Sequence, residues 1–241
     1  MRLLKSIYVN LMRILAAMAR ATGFAGFLER RRAKGRGWHW MSSLFAIYDI
    51  DAMVGLDVPW WTYDAIEQVD AFLASRPARV FEYGSGASTV WLARRASSVT
   101  SVEHDAPWYK DVTAKIPMVE GLCPTEVKLF EASSASPTDA LYLSEKANGS
   151  RVNFAAYASA IDAEDGVFDL IVVDGRARPA CLKHAIPKLA PDGIIVFDNS
   201  HRARYRQSIN DCGLSETRLR GLVPTLPYPD QTSLLRAEPA G

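Results

Sequence analysis

Two short stretches, FDLIVVDG at 168–175 and DGIIVFDN at 192–199, each run through four consecutive apolar residues into an aspartate. A strand with one face in water alternates apolar and polar side chains, whereas a strand apolar at successive positions is covered on both faces. Covering both faces of a sheet requires helices between the strands, and the chain supplies that alternation. ARVFEYG (78–84), VTSVEHD (99–105) and TEVKLFEA (125–132) also read as strands, and QTSLLRA (231–237) as a last one. Residues 64–74, 87–96 and ACLKHAIPKLA (180–190, Pro187 notwithstanding) read as helices, the first with Asp64 as N-cap and Ile66, Val69, Phe72 and Leu73 on one face. The expected class is α/β, a doubly wound and mostly parallel sheet with helices on both faces. Residues 132–165 are polar and read as an excursion before the fourth strand.

The chain has 241 residues, of which 49% are hydrophobic. That suffices for one sizeable core with an appendage. The division expected is an N-terminal extension over 1–62 and the α/β domain over 63–241. The extension opens on Leu4, Ile7, Leu11, Ile14, Leu15 and Met18, which share one stripe of a helix, with Arg2, Arg13 and Arg20 on the other side. An aromatic-rich segment follows, with Trp38, Trp40, Phe45, Tyr48, Trp60 and Trp61. Residues 1–40 hold nine lysines and arginines against the single acid Glu29, a balance of +8; the other 201 residues balance at −7. Such a helix packs on its own domain, on a second copy in a homodimer, or on an anionic membrane surface through residues 1–36. The nearby aromatics form no stacking array, so nucleic acid is not expected as a partner.

No run of 18 apolar residues occurs, and Asn10 and Arg13 interrupt what would be the apolar core of a cleaved signal. Cys123, Cys181 and Cys212 are odd in number and widely spaced, which argues against a disulfide framework or a zinc site. The expected location is the cytoplasm, with peripheral contact at the inner membrane surface.

Ligands of an open parallel sheet sit at the carboxyl ends of its strands. Those ends supply Glu82, Gly84, Ser85 and Gly86; Glu103, His104 and Asp105; Asp174, Gly175 and Arg176; and Asp198, Asn199, Ser200 and His201. The turn in RVFEYGSGAST lets a ligand approach the backbone at Gly84 and Gly86. Glu103 follows Gly86 by 17 residues, close to the spacing at which an acid receives the two hydroxyls of a ribose. A pyrophosphate site would carry a third glycine where Thr89 stands, and Glu82 would repel a pyrophosphate. An acid beside the turn suits a cationic ligand instead.

The ordered set FEYGSGAST, SVEHD, FDLIVVDG and DGIIVFDN resembles the class I S-adenosylmethionine-dependent methyltransferases over about residues 79–236. The resemblance implies a seven-stranded sheet whose last strand, QTSLLRA, is antiparallel. It implies that Glu82, Gly84, Ser85 and Gly86, with Tyr83 and Ser88 of the same turn, line the methionine part of the cofactor. Glu103 would bind the ribose, His104 would flank the adenine, and Asp174 would face the reacting centre. A narrower resemblance is to metal-dependent O-methyltransferases of the catechol and caffeoyl-CoA type. It implies a divalent cation, Mg²⁺ by its oxygen donors, on Asp174, Asp198 and Asn199. The chain departs from that pattern at Ala177, where those families carry a lysine, and Arg176 and Arg178 could neutralise the carboxylates themselves.

Methyl transfer to oxygen needs a base for the hydroxyl proton, and His201, three residues after Asp198, is the candidate, alongside its reading as an ordinary loop histidine. Arg204, Tyr205 and Tyr157 are candidates for shaping the pocket, and Trp60 and Trp61 for covering it. The expected activity is O-methylation of a small molecule or glycan. One rival is an NAD-dependent oxidoreductase. It would carry a Tyr-x-x-x-Lys pair, but YASAI at 157–161 ends in Ile161. Another is a non-catalytic membrane-associated module, whose cofactor rim would be spoiled; Glu82, Gly84, Gly86 and Glu103 are intact.

Overall fold

The computed structural model describes residues 12, 14–46, 50–134, 139–145 and 151–237. Leu4, Ile7, Leu11, Arg2, Arg13 and Tyr48 lie outside them. Residues 14–21 form helix α1, followed by α2 (Phe24–Arg31), α3 (Arg36–Ser43), α4 (Ile50–Leu56) and α5 (Tyr63–Ala74). Then come β1 (Arg79–Tyr83), α6 (Ala87–Ala93), β2 (Ser98–Glu103), α7 (Ala106–Lys115) and β3 (Thr125–Leu129). The polar excursion holds a short antiparallel pair, β4 (Leu143–Glu145) and β5 (Arg151–Asn153), and leads into α8 (Ala155–Ala158). The chain continues through β6 (Phe168–Val173), α9 (Arg178–Ala185), β7 (Leu189–Asp198), α10 (Ala203–Asn210), β8 (Ser215–Gly221) and β9 (Asp230–Arg236).

Seven strands make one sheet in the order β3-β2-β1-β6-β7-β9-β8. β3, β2, β1, β6 and β7 are parallel, and β9 runs antiparallel to both β7 and β8. The expected doubly wound sheet with QTSLLRA reversed is therefore present. The winding reverses between β1 and β6, which opens a crevice at their carboxyl ends.

The consecutive apolar residues divide by parity between two layers. Val80, Leu170, Val172, Ile194 and Val196 face a core with Ile66, Val69, Leu73, Trp91 and Leu92. Phe81, Ile171, Val173, Ile195 and Phe197 face the other, with Tyr157, Ile161, Cys181 and Leu182. Burying both sides of the strands is what the unbroken hydrophobic runs require. Ala46, Met53, Leu56, Val58 and Trp61 join the first of these clusters, so these residues of the expected extension pack into the domain's core.

Three local features differ from the sequence reading. Helix α5 starts at Tyr63, with Thr62 as its N-cap residue, and Asp64 in the first turn receives Arg36 Nη1 at 2.6 Å instead of capping. Pro187 ends α9 and sits in a 3₁₀ turn over Ile186–Lys188, because it lacks the N–H that would continue an α-helix. β8, sequence SETRLRG, is an unexpected strand. It is an edge strand largely open to water, and a charged edge has no apolar pattern to betray it.

Candidate active site

The acid-turn stretch after β1 is built around a buried carboxyl. Glu82 pairs in register with Ser101 of β2, and Ser101 Oγ donates to its Oε2 at 2.6 Å. Thr89 Oγ1 donates to the same oxygen at 2.6 Å, and Ser88 Oγ donates to Oε1. Thr89 Oγ1 also accepts the Gly86 N–H at 3.0 Å. The residue in the third-glycine position therefore ties the turn to the acid that precedes it, which glycine could not do. Glu82 is 1% exposed, and burial pushes its pKa up to about 7 although the three hydroxyls pull it down.

Gly84 has φ 110°, a left-handed region open mainly to glycine. A Cβ on Gly175 would lie 1.9 Å from the Tyr157 hydroxyl, so glycine there makes room for that ring beneath the β6 turn. Tyr157 is fully buried, and its hydroxyl has no hydrogen-bond partner among the described residues.

On β2, Glu103 is 3% exposed. Its Oε1 accepts the N–H groups of His104 (2.7 Å) and Asp105 (2.9 Å), and its Oε2 accepts Ser85 Oγ at 2.9 Å. Burial raises its pKa, but His104 and these amide bonds outweigh that and hold it below the usual range, so it stays ionised. The His104 ring meets Phe154 and Tyr157 edge-on, at 5.5 and 5.8 Å. Trp108 donates Nε1–H to the Ser85 carbonyl at 2.8 Å and packs against Gly86. Asp105 caps α7 through the Trp108 N–H, with Pro107 in the first turn. Trp108 went unnoticed in the sequence, although the Asp-Ala-Pro-Trp helix start was a readable signal.

Arg178 joins the ends of β6 and β7. Its Nη2 donates to Asp174 Oδ1 (2.7 Å) and to the Asp174 carbonyl (2.9 Å), its Nη1 donates to the Asp198 carbonyl, and its Nε donates to the Gly175 carbonyl at 3.1 Å. The guanidinium is 6% exposed and reaches within 3.8 Å of Asp198 Oδ2. Burial pushes the carboxyls of Asp174 and Asp198 up, against the pull of Arg178, and the Asp174 charge raises Asp198 further. Asp198 Oδ1 is taken by the Thr232 hydroxyl at 2.8 Å. Asn199, at φ 51°, turns its amide to donate to Asp230 Oδ2 at 3.0 Å.

Asp174, Asp198 and Asn199, the residues expected to hold Mg²⁺, are each engaged by protein groups: Asp174 Oδ1 by the Arg178 guanidinium, Asp198 Oδ1 by the Thr232 hydroxyl and the Asn199 amide by Asp230. Among the described residues no cluster of three or more histidine, cysteine or carboxylate side chains could hold a metal.

Other expectations are corrected. Tyr83 does not reach the site. Strand alternation turns it to the opposite face from Glu82, where it is fully buried and donates to the Ala158 carbonyl at 2.7 Å. Ser88 lines the cavity and also anchors Glu82. Trp61 is wholly buried, edge-on to Trp91 at 5.8 Å, while Trp60 lines the cavity. Tyr205 packs on Phe197 and accepts from Arg204 at 3.0 Å; neither Tyr205 nor Arg204 lines the cavity.

His201 is half exposed and does not line the cavity, but its Nδ1 lies 2.9 Å from Asp230 Oδ1. Asp230 is 8% exposed and lines the cavity. It was missed because it opens β9 rather than ending a strand. An antiparallel strand presents its first residue where its parallel neighbours present their last, so its position followed once β9 was assigned as reversed.

Glu82, Gly84, Ser85, Gly86, Ser88, Glu103, His104 and Asp174 share one cavity of about 750 Å³ with Asp198, Asn199 and Asp230. That is within the usual range for small-molecule sites and has room for a nucleoside-sized cofactor with a small acceptor. The acid rim, the glycines bared to the cavity and the ionised Glu103 fit a cationic nucleoside.

Comparison with known proteins agrees. Residues 81–200 match the family model of a methyltransferase domain. The O-methyltransferase from Bacillus cereus, solved in complex with SAH, shares 18% identity over 82% of this chain and 91% of that one, with a TM-score of 0.56. A methyltransferase-like protein from Silicibacter pomeroyi shares 22% identity over 72% of this chain and 87% of that one, with a TM-score of 0.48. At these identities the likeness is one of fold. No curated protein matches the chain in sequence. With the strand order, the glycine turn and the family match in agreement, the chain belongs to the class I S-adenosylmethionine-dependent methyltransferases.

Proposed function

We propose that the protein methylates an oxygen of a small molecule or glycan. The observation that supports it is the His201–Asp230 pair, whose carboxyl belongs to the cavity lining. Asp230 holds His201 by Nδ1 and leaves Nε2 to take a hydroxyl proton. Bound S-adenosylmethionine supplies the methyl group on an electrophilic sulfonium. Glu82 would face the cofactor's cationic amino-acid part, Gly84 and Gly86 would admit it to the backbone, and Glu103 would take the ribose hydroxyls. Arg178 keeps the ends of β6 and β7 in fixed register, which would help hold acceptor and methyl group in line, an effect that contributes several kcal/mol in such reactions. The cavity wall also carries Ile50, Met53, Trp60, Tyr228 and Arg202. An acceptor with an apolar or ring portion and a polar or anionic substituent matches that lining. The fold shared with an O-methyltransferase is in keeping with this reading.

Calorimetric titration with S-adenosylhomocysteine, with and without EDTA, tests the cofactor part. Binding unaffected by EDTA and weakened at least tenfold by Glu103→Ala is expected. Methyl transfer from labelled cofactor to a panel of hydroxylated acceptors tests the rest; transfer to amines or nucleic acid alone would overturn the oxygen assignment.

A further inference from the structure

Helix α1 packs the wrong way round for a helix in water. Its inward residues are Ala16 and Ala19, and Met12 just before it is buried too, each under 10% exposed. Its larger side chains face out: Ile14 is 59% exposed, Met18 58% and Leu15 39%. Phe24, at the start of α2, adds 44%. At 100° per residue Ile14 and Met18 lie about 40° apart on one face, so the exposed apolar residues form a patch. The sequence continues the same 3/4 spacing at Leu4, Ile7 and Leu11.

The charge around the patch identifies its partner. Arg32 pairs with Glu29, and Arg36 with Asp64 and Glu67. Arg20, Arg30 and Lys34 are exposed and form no ion pair with described residues. We infer that the exposed face of α1, with Phe24 and these three cations, docks the enzyme on an anionic lipid bilayer. Apolar side chains enter the headgroup boundary while the cations meet lipid phosphates. A second copy fits less well. A two-fold interface places the same patch against itself, which sets the +8 balance of residues 1–40 against another +8. No helix among the described residues is long and apolar enough to cross the membrane, so the contact is one of lying on the surface.

The test is co-sedimentation of the full chain with phosphatidylcholine vesicles, with and without phosphatidylglycerol. Binding is expected only with the anionic lipid, and it should weaken steeply as salt rises from about 0.1 M to about 1 M and the screening length contracts from about 10 to about 3 Å. The double variant Ile14→Glu/Met18→Glu should lose at least tenfold in partition. The triple variant Arg20→Gln/Arg30→Gln/Lys34→Gln should lose about fivefold per cation. All these residues lie away from the cavity, so S-adenosylhomocysteine binding by the variants should match the parent and serves as the control for folding. Equal partition onto neutral vesicles, or unchanged partition of the Ile14/Met18 variant, would overturn the proposal. So would a concentration-dependent dimer that the same variant disperses.

Discussion

Replacing Glu82 by Gln separates what the carboxyl does for the cofactor from what it does to stability. Burial lifts its pKa in the folded protein to about 7, from an ordinary 4.5. The difference corresponds to about 3 kcal/mol, an order-of-magnitude figure. A raised acid favours the protonated form in the fold. Its contribution to stability is thus full below about pH 4.5 and is lost as pH climbs through about 7, where the buried group must ionise. Glu82→Gln keeps the shape and hydrogen bonds of the neutral acid, because Ser88, Thr89 and Ser101 can rotate to accept as well as donate, and it removes the titration. Urea unfolding of the two ligand-free proteins at pH 5 and pH 8 is the assay. The stability of the variant relative to the parent should rise by up to about 3 kcal/mol across that span. Over the same range the parent should bind S-adenosylhomocysteine more tightly as pH rises, because the ammonium needs an ionised partner. The variant should bind about 10- to 100-fold more weakly at pH 8, the usual worth of a hydrogen bond to a charged group. Parallel pH profiles for the two proteins would show that Glu82 does not titrate in this range. Undiminished binding by the variant would show that it does not face the cofactor.

Arg178→Met should destabilise the protein by about 3–5 kcal/mol, read from thermal or chemical melts, because it strands the buried Asp198, the half-buried Asp174 and three carbonyls. His201→Ala and Asp230→Asn should each lower kcat, the former by about 10²–10⁴-fold, while leaving S-adenosylhomocysteine affinity unchanged in calorimetry. Gly175→Ala should destabilise by about 1–3 kcal/mol through the clash with the Tyr157 hydroxyl. Adding Tyr157→Phe should recover part of that loss in the same melts, since the hydroxyl has no partner to lose among the described residues, while the Tyr157 ring carbon and the Tyr83 carbonyl stay close.

Sequence alone determined the layered sheet, because hydrophobic burial is a property of each strand's own residues. Four consecutive apolar positions before Asp174 and before Asp198 demanded cover on both faces, and helices of the expected type supply it. It also determined that Glu82, Glu103, Asp174 and Asp198 gather on one rim, since parallel strands place all their carboxyl ends together. Tertiary structure decided what those groups do there, because a carboxylate's role depends on neighbours distant in sequence. Glu82 is held by Ser101 across a strand pair, Asp198 by Thr232 across another, and both aspartates by one guanidinium. Asp174 and Asp198 form an arginine-bolted strand junction, which only the directions of the side chains reveal. The same holds for α1, where periodicity established an apolar stripe but not the face that would pack. Ala16 and Ala19 allow closer approach than Ile14 and Met18, and the helix lies on its alanines.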